Sequence, residues 1–76
     1  MIHIGETIRM EVRRQGITNE EFAERICVTP RTVNKLFNKT SIDTHRLFIV
    51  CKVLGVDLFA LYSEMLVDKC QNIVEQ

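Results

Sequence analysis

Residues 18–37 decide the fold, and they read TNEEFAERICVTPRTVNKLF. Thr18 is followed three positions later by Glu21, the spacing of a capping box, in which each side chain accepts a hydrogen bond from the other residue's backbone N–H. The apolar residues that follow recur at helical spacing, so a helix would gather them into one buried stripe. The pattern predicts a short helix over about residues 19–26.

A second helix begins almost at once, because Thr29 is a favourable N-cap and Pro30 suits the first helical position, where its missing N–H costs nothing. This helix is predicted over about residues 30–37. Its apolar residues make one stripe, whereas the opposite face is polar and basic and carries no acid. On or near that polar face lie Arg31, Thr32, Asn34, Lys35 and Asn38.

Three further helices are predicted in the rest of the chain, from the helical spacing of apolar residues and from a few residues that cap or end helices. Gly16 and Gly55 stand where a glycine ends a helix, and Asp43 is a favourable N-cap. The first helix is predicted over about residues 5–15, and the fourth between Asp43 and Gly55. A fifth begins near Asp57, and its helical spacing continues almost to the end of the chain. The whole chain is therefore predicted to be all-α with five helices.

Length and composition are those of one small globular domain. The chain has 76 residues, of which 46% are hydrophobic and 26% charged, so we expect one core and an ordered fold. No unbroken apolar stretch exceeds five residues, and the start lacks the pattern of a signal peptide. Three cysteines at wide spacing fit neither a disulfide framework nor a metal site. We therefore expect a cytoplasmic protein with reduced cysteines and no membrane partner.

Charge is distributed unevenly along the chain, although the formal net charge is zero. Residues 28–52 contain five basic side chains and one acidic side chain, a local charge of +4. The local charge is −1 over residues 1–27 and −3 over residues 53–76. Such segregation can attract a polyanion to one face of a small protein, and that face would contain the basic helix.

Two short helices joined by a turn of three or four residues form a helix-turn-helix unit, whose second helix can enter the major groove of DNA. Residues 18–33 resemble the Thr-x-Glu-x-Leu-Ala-x-x-x-Gly-Val-Ser-x-x-Thr-Ile run of the phage-repressor, Cro-like helix-turn-helix family, often called Xre. Residues 53–59, VLGVDLF, are similar to the closing Leu-Gly-Val-Ser-Leu segment of that family. The resemblance covers about residues 4–63.

The resemblance implies a five-helix, lambda-repressor-like DNA-binding domain with an extended C-terminal helix. In that reading residues 1–63 form the DNA-binding domain and residues 64–76 form a helical extension. The function implied is that of a sequence-specific transcriptional regulator, a repressor, that binds double-stranded DNA as a homodimer on a palindromic operator.

Individual DNA contacts are also implied by the resemblance. The family's base-reading positions fall on Pro30, Arg31, Asn34 and Lys35. Its phosphate-contacting positions fall on Asn19, Thr32, Asn38, Lys39 and Thr40. The chemistry agrees for the first set, because arginine or lysine donates to guanine O6 and N7 and asparagine pairs with adenine through two hydrogen bonds.

Cys27 departs from the family's pattern, because it stands in the turn where the family has glycine. If the turn keeps its usual shape, this residue is held at positive φ and strained by roughly 1–2 kcal/mol. The alternative is a reshaped turn. The next connection departs as well, because Phe37 and Asn38 replace more polar residues and the loop is shorter than in the family.

The stretch 64–76 lies beyond the resemblance and carries apolar residues at helical spacing. Two placements are open, packing back on the core or pairing with a second copy. Pairing has a physical reason, because one recognition helix offers few phosphate contacts, whereas a two-fold dimer doubles them and fixes half-sites about 34 Å apart. The dimerisation candidates are Phe59, Tyr62, Met65, Leu66 and Ile73.

Other classes of function leave no recognisable pattern in the sequence. A nucleophile–base pair, a glycine-rich phosphate loop and a carboxylate pair are all missing, so we expect neither enzymatic activity nor a cofactor. His3 and His45 have no ligand partners at metal-binding spacing, which predicts no metal site. Two alternatives use the same scaffold. One is an antitoxin whose extension binds a toxin. The other is a protein-interaction module without DNA affinity, and the zero net charge and Cys27 favour this second alternative.

Overall fold

The structure is a computed structural model that describes residues 2–74, with side chains described for residues 2–66. Helices account for most of this range, and no strand occurs within it. The helices are α1 (Ile4–Arg14), α2 (Asn19–Arg25), α3 (Pro30–Phe37), α4 (Thr44–Leu54) and α5 (Phe59–Val74). The predicted all-α fold with five helices is confirmed.

Helix starts are fixed by N-cap side chains that accept a hydrogen bond from the backbone N–H three residues on. The three predicted caps, Thr18, Thr29 and Asp43, do so at donor–acceptor distances of 3.1, 3.3 and 2.7 Å. His3 caps α1 in the same way through Nδ1, at 3.0 Å. The backbone N–H of Arg46 lowers the pKa of the Asp43 carboxyl, which favours the charged form where the helix dipole also favours it.

The capping box at the start of α2 is formed only in part. Thr18 accepts from the backbone N–H of Glu21, as predicted. The Glu21 carboxylate instead lies 3.7 Å from the guanidinium of Arg25. An acidic and a basic residue four positions apart are neighbours on a helix face, and this pairing draws the carboxylate away from the helix start.

All of the first four helices contribute to one apolar core. The core residues are Ile4, Ile8, Val12, Phe22, Ala23, Ile26, Val33, Leu36, Phe37, Leu47, Val50, Leu54 and Leu58. Within it the rings of Phe22 and Phe37 stack with centroids 6.2 Å apart, which joins α2 to the end of α3. Because the apolar side of α3 is buried here, its polar side faces outward.

The first turn of α1 lies directly against the end of α3. The backbone N–H groups of Ile4 and Gly5 donate to the carbonyl oxygens of Thr40 and Lys39, at 3.3 and 2.9 Å. A Cβ on Gly5 would lie only 2.4 to 2.7 Å from three backbone carbonyl oxygens in this region. Glycine is therefore required for the close approach that fixes α3 and the loop after it.

The turn between α2 and α3 keeps its shape despite Cys27, whose φ is 62°. The N–H groups of Cys27 and Val28 donate to carbonyl oxygens of α2, at 3.2 and 2.9 Å, in the pattern of a Schellman motif. The end of α1 has the same motif, with Gly16 at a φ of 71°. Of the two outcomes left open by the sequence, a reshaped turn is excluded and the cysteine occupies the left-handed conformation.

Replacing Cys27 with glycine is expected to stabilise the domain. A non-glycine residue in the left-handed region costs roughly 1–2 kcal/mol, partly offset by the greater chain entropy of an unfolded glycine. We expect the free energy of unfolding in urea to rise by about 1 kcal/mol for Cys27→Gly.

Gly16→Ala is the matched control for Cys27→Gly. It places a non-glycine residue at positive φ, at a helix end where nothing lies within 4 Å of the new Cβ. We therefore expect the free energy of unfolding to fall by a similar amount. A Cys27→Gly variant no more stable than the parent would contradict the prediction that the turn is strained.

The last helix, α5, continues without a break through residues 63 and 64. The predicted division between a domain and an extension therefore falls inside one helix. Near that point the side chains become exposed, to 39% for Met65 and 58% for Leu66. The side chain of Ile73, a dimerisation candidate, lies outside the described residues.

Candidate nucleic-acid interface

The outward face of α3 is formed by Arg31, Asn34, Lys35 and Asn38, all of which are exposed. At 3.6 residues per turn these four positions share an arc of about 100°. The buried residues of α3 lie on the opposite side. Pro30, the remaining predicted base-contact residue, is also exposed, at the N-terminal end of the helix. All four predicted base-contact positions therefore lie on the surface at one helix.

The basic groups of this face make no ion pair with any other described side chain. The ion pairs among residues 2–66 join Glu6 to Arg9, Glu11 to Arg14 and Glu21 to Arg25, all within α1 or α2. The guanidinium of Arg31 and the ammonium of Lys35 are thus available to an external anion. Neutral amides beside them, from Asn34 and Asn38, add hydrogen-bond donors without adding negative charge.

Of the predicted phosphate-contact residues, Asn38 belongs to this face and the others lie on or next to α3 or at the start of α2. Asn19, Asn38, Lys39 and Thr40 are exposed, whereas Thr32 is half-buried. The Thr32 hydroxyl lies 3.1 Å from the hydroxyl of the N-cap Thr29, and Asn38 Nδ2 donates to the Asn34 carbonyl at 3.1 Å.

The loop that carries Lys39 and Thr40 is tied to α1 through backbone carbonyls. Those carbonyls accept hydrogen bonds from the start of α1, so the positions of the two side chains are set by the α1–α3 contact.

A groove of about 320 Å³ adjoins the outward face of α3. Asn19 Nδ2 lies 3.4 Å from Asn34 Oδ1 across it. Two arginines of α1 line the same groove, and sequence reasoning did not select them. The complete lining is Arg9, Arg13, Asn19, Asn34, Phe37 and Asn38. The available signal was the spacing of four residues between the arginines, which places them on one face of α1.

An apolar surface lies beside the C-terminal helix. Tyr62, Met65 and Leu66 follow one another at helical spacing on α5, with 37%, 39% and 58% of their surfaces exposed. Two of them, with Ile2, Thr40 and Ser41, line a groove of about 240 Å³. Phe59 is half-buried and packs against the core. Of the dimerisation candidates that are described, three are therefore open to a partner and one also serves the core.

Comparison with known protein families gives a match over most of the chain. A family model for the helix-turn-helix matches residues 8–61, which include α2, α3 and α4 and parts of α1 and α5. Neither the comparison with curated proteins nor the one with solved structures gave a significant match. Within the part of the chain that is described, none of the helices combines the length and apolarity needed to cross a membrane.

Proposed function

The chain belongs to the Xre/Cro-like helix-turn-helix family of DNA-binding transcriptional regulators, and we propose that it represses transcription by inserting α3 into the major groove of an operator. The observation that carries this proposal is the outward face of α3, which presents two basic side chains without carboxylate partners among the described residues. Such a repressor would act in the cytoplasm, with the DNA that it would regulate.

Base reading is assigned to four residues of α3. Arg31 and Lys35 would donate to guanine O6 and N7, and Asn34 would pair with adenine through its amide. Pro30 has no side-chain donor, so its contribution would be apolar contact with a thymine methyl group. Each good base contact of this kind provides about 1–3 kcal/mol of discrimination against a wrong base.

Phosphate contacts are assigned to residues around α3. The exposed amides of Asn19 and Asn38 suit a phosphate oxygen as hydrogen-bond donors, and the Lys39 ammonium suits it as a charge. The hydroxyls of Thr32 and Thr40 complete the set. Such contacts fix the position of the protein on the duplex, and their affinity falls as salt rises.

The DNA-binding form is proposed to be a homodimer. Residues 1–63 would bind DNA, and residues 64–76, which include Met65 and Leu66, would continue the pairing surface that begins at Tyr62. A two-fold dimer places two α3 helices on half-sites one helical turn apart, about 34 Å, and doubles the number of contacts. The exposed apolar stripe on α5 supports this arrangement, since apolar side chains gain free energy when a partner removes them from water.

Leu66→Glu is expected to convert the dimer into a monomer. A glutamate at this exposed position would be buried without a partner in the dimer, whereas the folded monomer would leave it in water. Light scattering should report half the parent mass, and DNA affinity should fall with it. Phe48→Glu is the matched control, because Phe48 is an apolar residue of similar exposure, 57%, that belongs to α4 and not to α5. Equal masses for the two variants would contradict the assignment of α5.

The experiment that tests the proposed function is a titration of duplex DNA of mixed sequence at low and at physiological salt. For a protein that neutralises phosphates, the logarithm of the binding constant falls linearly with the logarithm of the salt concentration. We expect measurable binding at low salt and a steep decrease at physiological salt. No salt-dependent binding at any protein concentration would favour the protein-interaction module instead.

A further inference from the structure

The groove between α1 and α3 contains more positive than negative charge. Arg9 and Arg13 line it, and no lining residue is acidic. The remaining polar lining consists of asparagine amides, which donate hydrogen bonds as well as accept them. This composition suits an anion that passes along the groove rather than a neutral ligand enclosed in it.

One carboxylate near the groove, that of Glu6, pairs with Arg9 and not with Arg13. Glu6 accepts a hydrogen bond from Arg9 and forms an ion pair with it. The hydrogen bond from Arg9 lowers the pKa of the Glu6 carboxyl most, and the charge of Arg13 also lowers it. Arg13 has no ion-pair partner among residues 2–66. The pair of arginines therefore retains about one uncompensated positive charge at the groove.

The groove continues from the face that is proposed to read DNA. Asn34 and Asn38 belong both to the outward face of α3 and to the lining of the groove. A helix in a major groove about 12 Å wide is bordered on either side by sugar–phosphate backbone. One of those backbones would pass over the Asn34 and Asn38 edge of α3 and reach the arginines of α1.

We propose that Arg13, assisted by Arg9, binds a phosphate of the DNA backbone in this groove. The contact would extend the DNA interface from the helix-turn-helix onto α1 and would carry no sequence information. This inference rests on the proposed function, because it requires α3 to lie in the major groove.

The test compares Arg13→Gln with Arg14→Gln. Both variants remove one positive charge from an exposed position near the end of α1, but Arg14 pairs with Glu11 and does not line the groove. For Arg13→Gln we expect the slope of log binding constant against log salt to become shallower by about 0.9 for each protomer bound, the change for one lost phosphate contact, and so by about 1.8 for a two-fold dimer. For Arg14→Gln we expect no change in the slope. Sequences selected from a random duplex pool should be the same for both variants.

A third variant, Glu6→Gln, tests the same contact in the opposite direction. Removing the carboxylate that competes for Arg9 should steepen the slope and raise affinity at low salt. Circular dichroism melting curves would establish that all three variants remain folded.

Two results would overturn the inference. If Arg13→Gln and Arg14→Gln give equal slopes while the parent protein binds DNA, the groove makes no contact and the proposed function stands. If the parent shows no salt-dependent binding, both proposals fail.

Discussion

Gly5→Ala is expected to destabilise the domain by about 3 kcal/mol, the upper part of the range for overpacking a close contact. The added methyl group would lie at 2.4, 2.5 and 2.7 Å from the carbonyl oxygens of Leu36, Phe37 and Lys39. All three are backbone atoms, so no side-chain rotation relieves the clash. Either α1 must move away from α3, or the end of α3 must shift. Both movements break the hydrogen bonds that the backbone N–H groups of Ile4 and Gly5 donate to the loop after α3.

Thermal unfolding measures this effect directly. For a domain of 60–100 residues, each kcal/mol lowers Tm by about 4–8 °C, so we expect a decrease in Tm of about 12–24 °C. Gly55→Ala is the control, because nothing lies within 4 Å of its new Cβ and only the positive φ of 69° opposes the substitution. Its expected cost is about 1 kcal/mol. Equal losses of stability at the two positions would contradict the close-approach argument.

DNA binding should weaken further than the lost stability alone explains. Gly5 holds no DNA-facing group, but the contact that it permits positions Lys39, Thr40 and the end of α3. At a temperature where most of the Gly5→Ala protein is still folded, we therefore expect reduced affinity. Glycine at this position would therefore serve the proposed interface through packing and not through contact with DNA.

Local signals in the sequence predicted the helices well. The caps Thr18, Thr29 and Asp43 and the ending glycines act within a few residues, so their effects can be inferred without knowing the tertiary structure. The apolar stripe of α3 likewise determines which face is free. The predicted capping box formed only in part, and the cause is again local. Arg25, one turn further along the helix, offers Glu21 a competing partner.

The features that sequence reasoning missed depend on contacts between distant segments. Gly5 is an ordinary first-turn residue until α3 packs against it, and no pattern within α1 distinguishes it. Arg9 and Arg13 follow a common helical spacing, and their relation to α3 arises only when α1 packs beside it. Cys27 is intermediate, since the resemblance identified the position and the structure determined which of two backbone outcomes occurs.

Arg31→Ala combined with Lys35→Ala is expected to reduce DNA affinity by at least about 100-fold at physiological salt. Two base contacts at about 1–3 kcal/mol each would be lost, together with the charges that attract the duplex. In a two-fold dimer each loss occurs twice. Both side chains are exposed and make no ion pair with the described residues, so stability should change by less than about 0.5 kcal/mol.

Arg14→Ala combined with Lys52→Ala provides the matched control for this variant. It removes the same formal charge from exposed positions that belong to α1 and α4 and not to the outward face of α3. If DNA attraction depended only on net charge, the two double variants would lose equal affinity. The proposed interface requires the α3 variant to lose far more affinity than the control.

Sequence selection then separates base reading from simple charge attraction. Selecting bound duplexes from a random pool should return a consensus for the parent protein and for the control, since neither changes the residues assigned to bases. Arg31→Ala alone should relax the preference at one guanine in each half-site while leaving the other positions unchanged, because each base contact acts on its own base pair. A uniform loss of affinity without a change in consensus would instead assign Arg31 to the phosphate backbone.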